Sequence, residues 1–377
     1  MVIGYDAKKA VLNQTGIGNY SRRCINSIAK ASPESRLLLF APTKRNEAAI
    51  STLTHDAEFV YSPFVLKKGL AYELWRNFFA WRTIRSKSVQ LFHGLSNELP
   101  FGISRSGCKS IVTIHDLIFL HHPELYTSST RQILKWKTRY ACRVADHIIA
   151  VSEKSKQDII SYYQVPAEKI TVVYQSYDAS VFNCQRNDLI VRAVRSKYQL
   201  PEKYVLCVGT IERRKNQEVL IKVLPMLDAD IHVLLVGKQT PYQAELELLT
   251  KKLGLTDRVH ILNKVQNGEL PVLYQEATVF AYMSLFEGFG IPIVEALACG
   301  VPVIAATGSC LEEAGGPQSA YLAPADIQGL AQHIKQLIND ELFRQETIRK
   351  GFGYVQRFTD EAMAHDTLAV YQKLLKI

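Results

Sequence analysis

The chain has 377 residues, of which 47% are hydrophobic, and 45 Lys and Arg stand against 36 Asp and Glu for a formal net charge of +9. This length exceeds what one core usually supports, so two domains are expected, and the composition excludes a disordered or fibrous chain. The seven cysteines form no CxxC pair, which argues against a disulfide frame or zinc ribbon and for reduced thiols in a cytosolic protein.

The charge is unevenly placed. Residues 1–180 hold 24 Lys and Arg against 14 Asp and Glu, whereas residues 181–377 hold 21 against 22. A basic first half suggests an anionic counterpart, such as a membrane surface, a phosphorylated acceptor or nucleic acid. The opening MVIGYDAKK reads as a strand and not a signal peptide, because no apolar stretch follows its charges. Short apolar strands are predicted at 36–42, 89–94, 110–116, 147–152 and 170–175, with helices at 17–31, 67–87, 130–145 and 153–163. After a polar stretch near 180–200, a second series places strands at 203–209, 230–237, 258–265, 277–283 and 302–307. Helices fit at 216–227, 241–253, 268–275, 292–299, 326–339 and 341–357, and an amphipathic segment covers 360–376.

Strand–helix alternation with uniformly apolar, β-branched strands indicates parallel sheets covered on both faces. The expected fold class is α/β, with two Rossmann-like parallel-sheet domains facing a central cleft. The predicted boundaries are 1–182 for a first Rossmann-like domain, 183–200 for a linker, 201–357 for a second, and 358–377 for a closing helix that need not pack on the domain before it. Open parallel sheets bind ligands beyond the carboxyl ends of their strands, so the cleft between the domains is the expected site.

Several segments end at that edge. In NQTGIGNYS (13–21), Gly16 and Gly18 open a helix, but a dinucleotide fingerprint would need glycine at 21, which is Ser21. His115 and Asp116 close an apolar strand, where a histidine can bond a sugar hydroxyl or move a proton, or be purely structural. His121 and His122 carry no spacing that compels a metal. In GTIERRKNQ (209–217), Arg213, Arg214 and Lys215 directly follow a strand; Arg214 and Lys215 together suit a diphosphate, though a basic surface turn is the plain alternative. Asp228-Ala229-Asp230 resembles a metal-binding D-x-D, but it precedes a strand and reads as a polar turn.

The run 277–311 has 35 residues and two charges, Glu287 and Glu295. Burying a carboxylate without a partner costs several kcal/mol, so a polar ligand is expected to meet these two. Gly288 and Gly290 free backbone N–H groups at a helix start, and Pro292 fits its first turn, which makes an anion site. Two acids and the Gly and Pro residues argue against a membrane span. Residues 67–87 combine Leu70, Leu74, Phe78 and Trp81 on one helical face with a flank of Lys67, Lys68, Arg76, Arg82, Arg85 and Lys87. Such a helix can lie on an anionic membrane or simply pack on a core.

Together these segments resemble a known family. Glu287 and Glu295 match the E-x7-E motif of the retaining glycosyltransferases of family 4, whose fold is GT-B. GIGNY, TIHDLIFLHHPE, ADHIIAVSEKSKQDI, GTIERRKN and EGFGIPIVEALACGVPVIA are similar to family segments in family order, so the resemblance covers essentially the whole chain. It implies transfer of a sugar from a nucleotide donor with anomeric configuration retained and no metal or other cofactor. It also implies that 1–182 is the acceptor-binding domain, 201–357 the nucleotide-sugar-binding domain, and 358–377 a helix returning to the first domain. Glu287, His115, Lys215 and Arg214 would form the catalytic set, with Glu287 and His115 at the donor sugar. Arg214 and Lys215 would hold the diphosphate, and Glu295 the ribose. Gly288, Phe289, Gly290 and Ile291 would line the sugar and phosphate, and Gly16 and Gly18 would let the first domain close over the diphosphate. At Thr210 many relatives carry arginine, a departure that shifts cationic work onto Arg213, Arg214 and Lys215.

The TIHDLIFLHHPE and GTIERRKN variants look like the mannosyltransferase branch, which favours GDP-mannose over a UDP-hexose. The implied acceptor is a lipid-linked oligosaccharide or a growing surface polysaccharide, as in lipopolysaccharide synthesis. The implied place is the cytoplasm, at the inner face of the membrane, with peripheral contact through the basic first domain. Alternatives are a UDP-sugar-dependent glucosyl, galactosyl or N-acetylglucosaminyl transferase, or a catalytically silent GT-B partner subunit. A dehydrogenase lacks its third glycine, and nucleic-acid binding does not suit the acidic, apolar run at 277–311.

Overall fold

The computed structural model describes residues 1–42, 50–54, 56–62, 70–266 and 268–377. They form two compact units, Met1–Ser176 with Asp360–Ile377, and Tyr177–Thr359. In the first unit, strands β1 (Val2–Asp6), β2 (Arg36–Ala41), β3 (Glu58–Tyr61), β4 (Leu91–Gly94), β5 (Lys109–Ile114), β6 (His147–Ala150) and β7 (Ile170–Val172) make one sheet in the order β3-β2-β1-β4-β5-β6-β7. In the second, β8 (Lys203–Val208), β9 (Ile231–Val236), β10 (Val259–Leu262), β11 (Val279–Tyr282), β12 (Val303–Ala306) and β13 (Ala320–Leu322) are ordered β10-β9-β8-β11-β12-β13. Every pairing described is parallel.

The central strands are buried along almost their whole length; β4, β6, β11 and β12 have no exposed or half-exposed residue. That is why they read as continuous apolar runs, as sheets with helices on both faces require. β3 and β13 are edge strands and only partly buried, so their sequences EFVY and AYL carry no such run. The strand order reverses between β1 and β4 in the first sheet and between β8 and β11 in the second. Ligands of open α/β sheets bind at such switch points, beyond the carboxyl ends of the strands.

Residues 183–200, expected as a linker, contain the helix Asp188–Tyr198 within the second unit. Asn187 caps it by accepting from the backbone N–H groups of Leu189 and Ile190, and Val191 and Val194 are its buried residues. Two apolar contacts on a polar stretch explain why composition concealed it. The helix expected over 67–87 is two, Leu70–Phe78 and Ala80–Ser86, which meet at Phe79 so that Ala80 and Ile84 enter the core. Lys67 and Lys68 lie outside the described residues, as does the side chain of Leu70. Arg76 is not on a basic flank. It is buried, its Nε donates to Asp6 Oδ2 at 2.7 Å, and it pairs with Glu98 at 3.1 Å.

The helix Asp360–Leu375 belongs to the first unit. Arg23 Nη2 donates to both oxygens of Asp360 at 2.8 Å, and Ser176 Oγ donates to Asp360 Oδ1 at 2.6 Å. Deeper in, Tyr371 Oη meets His93 Nδ1 at 2.6 Å, and His93 Nε2 meets Thr113 Oγ1 at 2.8 Å. Burial pushes the His93 pKa down to about 3, so this histidine is a neutral link in the core.

Candidate active site

In the second unit, the turns after β8 and β11 meet at the switch point. After β8 a single 3-10 turn covers Arg213–Lys215. After β11 the chain runs Met283 to Gly290 and enters the helix Ile291–Ala298. Gly290 has φ +113°, and a Cβ there would come within 2.9 Å of Leu311 Cδ2. Both conformation and space therefore require glycine at the turn that aims this helix.

Glu287 is the centre of the cluster. Its Oε1 lies 2.6 Å from Lys215 Nζ and 2.9 Å from Arg214 Nη1, and accepts from Ser284 Oγ at 2.5 Å. Burial pushes this carboxyl up, but Lys215 and Arg214 outweigh it and hold the pKa down at about 2. Glu287, where a polar ligand is expected, is thus already partnered by the cations of the neighbouring turn. Arg214 donates from Nη1 to the Phe286 carbonyl at 2.5 Å and from Nη2 to Glu212 Oε1 at 2.6 Å. Lys215 Nζ also donates to Tyr282 Oη.

The frame around the cluster is hydrogen-bonded throughout. Asn216, at φ +55°, donates from Nδ2 to the Met283 and Pro324 carbonyls at 3.0 and 2.8 Å. Leu285 N donates to the Arg214 carbonyl at 2.8 Å, which ties the two turns together. Cys310 Sγ donates to the Glu287 carbonyl at 3.1 Å. Glu295 lies one turn into its helix, half-buried, and accepts from the buried Tyr274 hydroxyl at 2.9 Å.

Other expected residues are placed differently. Arg213 is exposed; it pairs with Glu245 and lies 5.2 Å above the Tyr242 ring, away from Glu287. Consecutive residues of a 3-10 turn project about 120° apart, so three cations in a row do not converge. Thr210 is half-buried and its carbonyl accepts from Gln217 Nε2 at 3.0 Å. Phe289 is buried with its ring edge-on to Phe358 at 5.3 Å, so it supports the turn from behind. Gly288 and Ile291 are half-buried at the start of the helix. Tyr282, Ser284 and Tyr274 were not singled out in the sequence, where hydroxyl residues are too common to stand out.

In the first unit, His115 follows β5 and is buried. Its Nε2 donates to the Leu95 carbonyl at 2.8 Å, and Nδ1 accepts from the Gln175 amide at 3.1 Å. Burial outweighs the Leu95 bond and pushes its pKa down to about 4, so the ring is neutral with both nitrogens engaged inside its own unit. His121 Nε2 lies 2.9 Å from Asp158 Oδ2, and among the described residues no cluster of three or more His, Cys, Asp or Glu is placed to hold a metal. Asp230, of the D-x-D turn, pairs with Lys203 at 2.7 Å ahead of β9.

Gly16 and Gly18 differ in kind. A Cβ on Gly18 would fall 1.8 Å from the Asn13 carbonyl oxygen, whereas one on Gly16 would have nothing within 4 Å. Gly18→Ala is expected to lower stability by about 1–3 kcal/mol, and Gly16→Ala to stay within about 0.5 kcal/mol of wild type. Paired thermal melts check this; equal midpoints for the two variants would contradict it.

Comparison with known proteins follows the same division. Residues 15–181 match the family model of Glycosyltransferase Family 4, and residues 192–353 that of Glycosyl transferases group 1. This chain belongs to glycosyltransferase family 4. It is 26% identical over 377 residues to O-antigen chain mannosyltransferase B of Escherichia coli, covering 96% of each chain. It is 29% identical over 254 residues to the O-antigen chain mannosyltransferase RfbU of Salmonella typhimurium, covering 67% of this chain and 66% of that relative. Among solved structures, Anabaena HepE in complex with UDP and glucose superposes with a TM-score of 0.77 at 20% identity, over 99% of this chain and 100% of that one. The fold of this glycosyltransferase is therefore GT-B.

Proposed function

We propose that this glycosyltransferase moves mannose from GDP-mannose onto a lipid-linked or surface-polysaccharide acceptor at the inner face of the cytoplasmic membrane. The observation that carries the reading is Glu287 held between Lys215 and Arg214 at the switch point of a parallel sheet. Arg214 and Lys215 exchange the Glu287 carboxylate for the donor diphosphate, and Glu295 takes the ribose hydroxyls. The acceptor oxygen bonds to the anomeric carbon on the face the phosphate leaves, so configuration is retained. The bond to phosphate breaks, and the departing phosphate oxygen takes the acceptor proton. Negative charge grows on the phosphate at that moment, and two fixed cations stabilise it without reorganising. They supply the neutralisation a divalent metal would otherwise bring. Mannose is supported by the E. coli and Salmonella relatives, both named O-antigen chain mannosyltransferases. A UDP-hexose is the second reading, favoured by the UDP held by the Anabaena structure.

A donor screen tests it. A ligand that binds only the folded state raises its melting point, by the equivalent of about 2.7 kcal/mol at a hundredfold excess over Kd. GDP-mannose is expected to raise the midpoint, with or without EDTA, and UDP- and ADP-sugars to leave it in place. Stabilisation by a UDP-hexose alone would replace the donor, and a shift that needs manganese would end the metal-free reading.

A further inference from the structure

The hydroxyl that bonds Glu295 belongs to a side chain that the second unit holds rigidly. Tyr274, on the helix Leu270–Gln275, is fully buried. Its ring lies edge-on to Phe182 at 5.8 Å and tilted against Phe280 of β11 at 5.5 Å. The two residues that follow it tie the segment down. Gln275 Nε2 donates to the Asn183 and Gln185 carbonyls at 2.7 and 3.1 Å. Glu276 pairs with Arg186 at 2.6 Å and with Arg195 at 2.7 Å. A close-packed ring on a segment anchored in this way leaves its hydroxyl where the fold puts it.

Glu295 is a different kind of side chain. It is half-buried on the helix Ile291–Ala298, and a glutamate loses much rotamer freedom when its carboxylate is fixed. The Tyr274 hydroxyl, 2.9 Å from Oε2, supplies that fixing. Burial and the Glu295 charge both push the Tyr274 pKa up, so the hydroxyl keeps its proton and is the donor. An ionised carboxylate accepts at about four lone-pair sites, so the bond orients the group without using it up. A site that reads hydroxyl groups rejects an analogue that lacks them, because its own polar group is then left unpaired. That rejection is sharp only while the polar group is held in place.

We propose that Tyr274 is a positioning residue: its hydroxyl sets the Glu295 carboxylate in the orientation that reads the ribose of the donor, so that the pair selects ribonucleotides over deoxynucleotides. The inference rests on the ribose role given to Glu295 above. Calorimetry on the full chain compares GDP and UDP with dideoxy-GDP and dideoxy-UDP, which lack both ribose hydroxyls. Wild type should bind its preferred nucleotide about tenfold or more tighter than the dideoxy form, the worth of a hydrogen bond to a charged group. Tyr274→Phe keeps the ring and its packing. It should cut that preference by about fivefold or more, while affinity for the dideoxy form stays at the wild-type value. Glu295→Gln should do the same, and the double variant should lose no more than Glu295→Gln alone, because the two act as one unit. In transfer assays the loss in Tyr274→Phe should fall on the donor KM and not on kcat. A purely structural tyrosine would instead lower the melting midpoint and weaken all four nucleotides alike. That result, an undiminished ribose preference in Tyr274→Phe, or losses that add to those of Glu295→Gln would overturn the inference and leave the ribose role of Glu295 standing. A wild type with no ribose preference would remove that role and the inference with it, and one that binds neither GDP nor UDP would end the donor reading as well.

Discussion

Glu287→Gln is expected to cut sugar transfer by about 10²–10³-fold while GDP binds at wild-type strength or tighter. The Glu287 carboxylate engages Lys215 Nζ at 2.6 Å and Arg214 Nη1 at 2.9 Å. On the proposed reading, a donor diphosphate has to take those cations over. Glutamine keeps the shape but removes the competing charge, so ground-state binding does not suffer. What is lost is a negative charge beside a sugar carbon that becomes positive as its bond to phosphate breaks. Turnover and calorimetric GDP affinity, measured on the same protein, separate the two effects. Wild-type turnover would remove Glu287 from the reaction.

The same variant has a signature in acid. The folded pKa of Glu287 is depressed from 4.5 to about 2. The stability it contributes is therefore fully present above pH 4.5 and is lost as pH falls from there toward 2. A depression of that size corresponds to a ceiling of roughly 3 kcal/mol. Denaturation curves of wild type and Glu287→Gln should differ near neutral pH and converge toward pH 2. A gap that does not change with pH would mean the cations do not act on this carboxylate.

Lys215→Met should be the more damaging change to donor binding. It removes one of the two cations proposed to hold the diphosphate and leaves Glu287 buried with Arg214 as its remaining ion-pair partner. Transfer is expected to fall by about 10²–10³-fold, GDP affinity by at least tenfold, and stability by about 3 kcal/mol, because one side of a buried ion pair is left behind. Adding Glu287→Gln to it should restore part of the stability and none of the activity. Unchanged GDP and UDP affinity in Lys215→Met would rule out its phosphate role.

What the sequence conveyed follows from how each feature is encoded. Buried parallel strands such as β11 and β12 announce themselves because both their faces are apolar. β3 and β13, at the edges, do not, and the helix Asp188–Tyr198 buries only two side chains. Glu287 was legible as a charge in an uncharged run, and Lys215 and Arg214 as cations directly after a strand. That Arg213 points elsewhere depends on the geometry of a 3-10 turn, which spacing alone does not reveal. Tyr282 meets Lys215 because β8 and β11 are neighbours in the sheet, whereas Ser284 meets Glu287 within the one turn after β11.

The return of Asp360–Leu375 to the first unit has a consequence for the order in which the chain takes shape. A ribosome releases the first 176 residues, then the whole of the second unit, before Arg23 and His93 meet Asp360 and Tyr371. At 5–20 residues per second that interval is roughly ten to forty seconds. For that time the core that Tyr5, Tyr20 and Ile25 share with Met363, Val370 and Tyr371 lacks its last helix. The nascent chain is thus a complete second unit trailing an unfinished first one.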